Sequence, residues 1–207
     1  MGQKYDDKVT KGRSEKVEPI KNDQDLKLVE DTLLNNFTLG VRNLTLFKLG
    51  VVTMLRASDL VNLKVGDVYD ADGYPKGESS VIEKKTGKIK YIFPAKMEGD
   101  LVRYMKWRNK NGVTSDFLFV GKEGNPLTPH QVWRIMNKVG ELNGIDYLGS
   151  HTMRKTGAYR VYEQTGNIAL VMELLNHSSE RMTLRYLGVD KQEQKNVLNK
   201  INFFGTE

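Results

Sequence analysis

Apolar residues along the chain change their period twice, and each change marks a different kind of element. After a polar stretch over residues 1–21, Leu26, Val29, Leu33 and Phe37 recur at helical spacing, with Asn22 or Asp23 placed to cap the helix. A second helix is predicted through Leu44, Phe47 and Val51, and a short third one from near Ser58 turns Leu60 and Leu63 inward. The period then shortens. Val81-Ile82-Glu83 and Lys90-Tyr91-Ile92-Phe93 predict two strands joined around Thr86-Gly87 by a somewhat long hairpin loop. Helical spacing returns at Leu101, Val102 and Met105, and Phe117-Leu118-Phe119-Val120 reads as a short strand or a buried run.

The clearest local signal is Thr128-Pro129-His130-Gln131. Thr128 caps, Pro129 suits the first helical position, Gln131 completes a capping box, and Gly144 suits the stop. Val132, Ile135, Met136, Val139 and Leu142 form the apolar face. Ser150 is the expected cap of the next helix, which ends near Gly166. Asn167 caps another, carrying Leu170, Val171, Leu174 and Leu175. A short helix containing Tyr186 follows, then a polar stretch with Val197, Leu198, Ile201 and Phe204. The pattern describes a mainly α fold with a small antiparallel β-sheet. It divides into a flexible polar arm (1–21), one domain (22–190) and a C-terminal tail (191–207).

Composition narrows the classes. Of 207 residues, 39% are hydrophobic, enough to bury a core in one domain. Cysteine is absent, so disulfides and thiolate zinc sites are excluded. The three histidines, His130, His151 and His177, form no H-E-x-x-H pair, and no metal site is expected. No apolar run approaches the roughly 18 residues of a membrane span, and the N-terminus lacks an apolar signal core, so a cytoplasmic location is expected. The net charge of +6 is weak by itself. Its distribution says more: Lys84 to Lys110 holds nine basic residues against Glu98 and Asp100, more positive than the whole chain. That stretch is either a phosphate-facing surface or a solvated rim.

Several side chains carry possible chemistry, each beside a plainer reading. His151 and Arg154, three apart, share the face of a helix's first turn, where backbone N–H groups already favour an anion. A guanidinium adds paired donors that match phosphate. The plain alternative is a surface His and Arg. Arg56 is otherwise an exposed arginine paired with Asp59 or Asp67, Lys85 a solvated turn lysine, His177 a helix terminus, and Tyr186 an aromatic at the core edge.

Their order and neighbours decide between these readings. Thr53-Met54-Leu55-Arg56-Ala57-Ser58-Asp59-Leu60-Val61-Asn62-Leu63 resembles the first box of the tyrosine recombinases, the phage integrase family. Glu83-Lys84-Lys85-Thr86-Gly87-Lys88 resembles its lysine-bearing β-hairpin, and His151-Thr152-Met153-Arg154-Lys155 its H-x-x-R box. Leu174-Leu175-Asn176-His177-Ser178 is similar to its L-G-H-S element, and Thr183-Leu184-Arg185-Tyr186-Leu187 to its T-x-x-Y segment. All five stand in family order.

The resemblance implies a role for each residue. Tyr186 attacks the scissile phosphorus to give a 3′-phosphotyrosine. Arg56 and Arg154 hold the non-bridging oxygens, and Lys85 protonates the leaving 5′-oxygen. His151 assists proton transfer at the tyrosine, and His177 donates to the phosphate. Lys84, Lys88, Lys90 and Lys155 are expected to touch DNA. The family uses no metal or nucleotide cofactor. It implies double-stranded DNA as partner, a monomer in solution, a tetramer on DNA that exchanges the segment after the tyrosine, and in some cases an accessory protein.

Three features depart from the family pattern. Met54 stands where glycine is usual, Asn176 replaces the glycine of L-G-H, and only about 21 polar residues precede the region where a DNA-clamping domain is common. Two alternatives therefore stay open: a DNA-binding regulator of the same fold that does not recombine, and a helix-turn-helix regulator built on 167–187. Cleavage of nicked DNA separates the enzyme from both.

Overall fold

A computed structural model describes residues 17–188, with 199 and 202. The element order follows the hydrophobic pattern. Helix α1 (Asp23–Asn35) starts at Asn22, whose side chain accepts from the Asp25 N–H. Helix α2 (Gly40–Thr53) is apolar on most sides and accordingly runs through the middle of the domain, with Leu46, Phe47 and Leu49 almost fully buried. Two single-turn helices, α3 (Ala57–Leu60) and α4 (Val65–Val68), lead to the hairpin. The pattern did not announce α4. Strands β1 (Ser79–Ile82) and β2 (Ile89–Ile92) pair antiparallel, Val81 opposite Lys90 and Ile82 opposite Ile89.

Helix α5 (Glu98–Lys110) follows a 3-10 turn. The run from Phe117 to Val120 forms only isolated bridges, Lys64 to Phe117 and Val120 to Pro126, so it is a buried run rather than a strand of the sheet. Helix α6 (Pro129–Asn143) shows the expected capping box and ends at Gly144, whose φ of 67° the left-handed stop requires. Helix α7 (Thr152–Thr165) starts one residue later than Ser150 predicts. His151 is its N-cap without a side-chain cap bond, and the Thr152 hydroxyl instead accepts from the Gly149 N–H. Helices α8 (Ile168–Leu174) and α9 (Glu180–Leu187) are capped by Asn167 and Ser179.

The expected arm extends less far than residue 21. Ile20 is fully buried and donates its N–H to the Thr156 hydroxyl, and the Glu18 N–H bonds to the Tyr147 carbonyl, so residues 17–21 are held to the domain. The expected tail lies outside the described residues apart from 199 and 202.

Two apolar clusters organise the domain. The larger joins α1, α2, α5 and α6 with Leu118 and Phe119. The smaller gathers Met54, Ala158, Val171, Leu175 and Leu187, with Tyr186 packed against it. Helix α7 touches both, and Gly157 sets how closely α7 approaches α2. A Cβ there would sit 2.0 Å from the Val51 carbonyl oxygen and 2.7 Å from Met54 Cγ. Alanine at an open helical position gains about 1 kcal/mol over glycine. Gly157→Ala should instead cost about 1–3 kcal/mol through overpacking, read as a lower urea midpoint at unchanged slope. An unchanged or raised midpoint would show that the two helices have room to part.

Candidate functional site

The end of α2 delivers the first functional arginine. Met54 occupies the left-handed region, φ 51° and ψ 29°, where glycine is the usual residue. A methionine there costs about 1–2 kcal/mol of backbone strain. Its side chain, 5% exposed, is held in the smaller cluster, and that burial offsets the strain. The departure from glycine therefore leaves the chain reversal intact. Arg56 emerges as the N-cap residue of α3, with only 17% of its side chain exposed.

Arg154, 2% exposed, comes from the first turn of α7. Its Nη1 donates to the Met54 carbonyl and its Nη2 to the Leu175 carbonyl at 2.7 Å, joining three chain segments. Between the arginines lies Glu83, fully buried. Its Oε1 is 2.7 Å from Arg56 Nη1 and 3.4 Å from Arg154 Nη1. Its Oε2 accepts from the Thr86 hydroxyl at 2.9 Å and from Asn176 Nδ2 at 3.1 Å. Burial alone would raise the Glu83 carboxyl, but the Arg56 guanidinium, with Thr86 and Asn176, carries it below the ordinary carboxylate value. Asn176 also has φ 53°, so it supplies the turn that glycine commonly makes and a side-chain donor besides.

Strand parity explains why an acid is inside. Outward Ile82 is 72% exposed and Ile89 58%, while Glu83 and Lys90 face inward. Lys90 donates its ammonium to the Leu174 carbonyl. Burial, then repulsion from Arg154, lowers its pKa to about 8. The expectation that Lys90 touches DNA is corrected: it alternates to the same face as Ile92 and is enclosed. Arg108, another member of the basic run, is also buried, capping the carbonyls of Ser115, Phe117 and Leu118. Lys84, Lys85, Lys88, Lys96, Arg103, Lys106 and Lys110 are exposed.

The remaining residues converge from α7 to α9. His151 is exposed at the rim. Desolvation, then the charges of Arg154, Lys155, Arg56 and Lys85, lowers its pKa, so it is neutral at pH 7. The His177 ring stands edge-on to Tyr186 with centroids 5.3 Å apart, and its Nδ1 lies 3.0 Å from the Thr183 hydroxyl. That hydroxyl donates to the Ser179 carbonyl, so its lone pair faces His177 and calls for a proton on Nδ1. Lys155 Nζ lies 4.9 Å from the Tyr186 ring centroid. The Tyr186 hydroxyl is buried and has no hydrogen-bond partner among the described residues. Burial pushes its pKa up to about 12, against the pull of Arg154 and Arg56. Lys85 is exposed in the hairpin turn, near enough to His151 to lower that imidazole's pKa.

The structure thus brings together Arg56, Arg154, His177 and Tyr186, with His151, Lys85 and Lys155 beside them. Sequence reasoning gave no role to Glu83 or Thr183, and read Asn176 as a stand-in for the turn glycine without its bond to Glu83. The inward parity of Glu83, an acid two positions after Val81, was the signal available for it.

The family model of the phage integrase family matches residues 11–193. The chain belongs to that family. A probable integrase/recombinase of Bacillus subtilis is 31% identical over 84% of this chain and 91% of its own length. A tyrosine recombinase of Agathobacter rectalis is 30% identical over 77% of this chain, and that of Pyrococcus furiosus, XerA, 31% over 72%; this chain spans 51% of each. Among solved structures, XerA recombinase aligns with a TM-score of 0.70 at 20% identity, over 90% of this chain and 67% of that one. XerH bound to a palindromic difH substrate gives 0.66 at 22%, over 90% and 53%. These likenesses show the fold of this chain's mainly helical domain. No helix among the described residues is long and apolar enough to cross a membrane.

The low pKa of His177 has a consequence for the phage integrase site. Desolvation, then Arg154 and Arg56, lowers it from 6.5 to about 4. The folded chain resists protonating this ring, so stability complete above about pH 6.5 should be lost as pH falls toward 4. Urea unfolding at several pH values should show a smaller loss across that window in His177→Gln. Parallel curves for the two proteins would remove His177 as the source.

Proposed function

We propose that this chain cleaves and rejoins DNA strands in site-specific recombination through a phosphotyrosine on Tyr186. The observation that carries the reading is the convergence of Tyr186 with two guanidiniums, buried Arg154 and partly buried Arg56, that lower its pKa against burial. A phosphodiester gains negative charge as its phosphorus becomes five-coordinate, so cationic donors fixed in place stabilise the transition state more than the ground state. The tyrosine oxygen attacks phosphorus, the bond to the 5′-oxygen breaks, and the phosphate stays on Tyr186 through its 3′-oxygen. His151, neutral and at the rim, takes the phenolic proton. Lys85 gives a proton to the leaving 5′-oxygen. The reverse attack by a 5′-hydroxyl reseals the strand, and no metal is needed because the arginines supply the charge.

His177 has a conditional part. With Nδ1 turned to Thr183, Nε2 donates only after taking up a proton. A phosphate placed between the arginines offsets their repulsion and favours that protonation. Exposed Lys84, Lys85 and Lys88, with Lys155 beside the tyrosine, provide the phosphate contacts of a double-stranded DNA partner. XerH and lambda integrase have solved structures bound to DNA. The chain acts as a monomer in the cytoplasm until it meets nucleoid DNA, where it assembles as a tetramer, with an accessory protein where direction must be set.

Tyr186→Phe tests this reading. It removes a hydroxyl with no partner among the described residues, so folding and DNA binding should stay within about 0.5 kcal/mol of wild type. Covalent attachment to a nicked suicide substrate should vanish. Adducts that survive in the Phe variant would identify a different nucleophile, and a wild-type chain that binds DNA without ever attaching would favour the regulator of the same fold.

A further inference from the structure

We propose that Glu83 is a positioning residue for strand cleavage, an internal anion that holds Arg56, Arg154 and the segment before His177 in one cluster before DNA arrives. The proposal rests on the recombinase reading and adds to it a residue that touches no substrate. Two guanidiniums turned toward one phosphate pocket repel each other, and burial strengthens that repulsion. Glu83 Oε1 lies within 2.7 Å of one and 3.4 Å of the other. Its other oxygen accepts from Thr86, in the turn that carries Lys85, and from Asn176, next to His177. A single carboxylate therefore ties together four separate chain segments. Its own main chain builds the turn as well: the Glu83 carbonyl accepts from Thr86 N–H and Gly87 N–H, and its N–H donates to Lys88. Asp59 secures the same turn from α3 by accepting the Lys84 N–H at 3.0 Å.

A carboxylate in this place opposes the incoming phosphate while orienting the groups that act on it. Its loss should therefore slow catalysis without weakening binding, which loss of a purely structural residue would not do. Glu83→Gln keeps the size and removes the charge, and its amide donors meet the donors of Thr86 and Asn176 on one side. At saturating nicked DNA, the single-turnover rate of attachment to Tyr186 should fall by about ten- to a hundredfold, the scale of slight misplacement at a reacting centre. The Kd for the same DNA, measured at fixed salt in the Tyr186→Phe background, should be equal to wild type or several-fold tighter. Glu83→Asp restores the charge one methylene short. It should return Kd to the wild-type value and recover part of the rate.

Thermal melts accompany each variant. If Glu83→Gln does not fold, Glu83→Asp carries the test, and must bind as wild type and cut more slowly. Wild-type cleavage matched by equally fast cleavage in the folded variants overturns this proposal alone. Binding and rate that fall together, in step with a lower Tm, also overturn it. A wild-type chain that forms no adduct overturns the recombinase reading and this proposal with it.

Discussion

The site depends on placing like charges side by side out of water. Arg154 is 2% exposed and Arg56 is half-buried beside it, with the ammonium of Lys90 enclosed close by. Isolated burial of such charges costs several kcal/mol each, and only a close anion with well-satisfied partners offsets it. Glu83 is that anion, and the fold is arranged around the need to deliver it. The hairpin turns an acid and a lysine inward beside Val81 and Ile92, and leaves Ile82, Ile89 and Tyr91 outside. Carbonyls from Met54 and Leu175 accept from Arg154, and that of Leu174 accepts from Lys90. The strained turn at Met54 and the left-handed Asn176 bring those groups within reach.

The same arrangement explains a quiet resting state. Burial raises the pKa of Tyr186 to about 12, and Arg154 and Arg56 only partly counter it. His177 is kept neutral by burial first and by the same cations second. An anion placed between the arginines would favour a proton on His177, and by the same offset would also favour the neutral phenol of Tyr186.

Much of this was legible in the chain. Helical periodicity gave α1, α2, α5, α6 and α8 nearly in place, because each has a broad apolar face and most have a side-chain or glycine signal at an end. The family-like boxes named the residues that converge. What was not legible was long-range. Lys90 reads as one more cation of a basic run, yet strand parity sends it inward, and only the tertiary position of Leu174 shows what it meets. Ser150 reads as a cap, but the Thr152 hydroxyl makes the bond to Gly149 and the helix begins after His151. Residues 17–21 read as arm because they end a polar stretch, yet Pro19 and Ile20 are buried and the Glu18 N–H bonds to the Tyr147 carbonyl. Glu83 lay inside a recognised motif without a role, since its partners sit on elements far apart in sequence.

On the proposed reading Tyr186, beside buried Arg154 and partly buried Arg56, becomes joined to DNA. Tandem mass spectrometry of the nuclease-trimmed, protease-digested complex formed on a nicked suicide substrate tests it most directly. The expected result is a nucleotide remnant on the peptide containing Tyr186, attached to the tyrosine oxygen through the 3′-phosphate. A remnant on another residue, or on the 5′ side of the break, would contradict it.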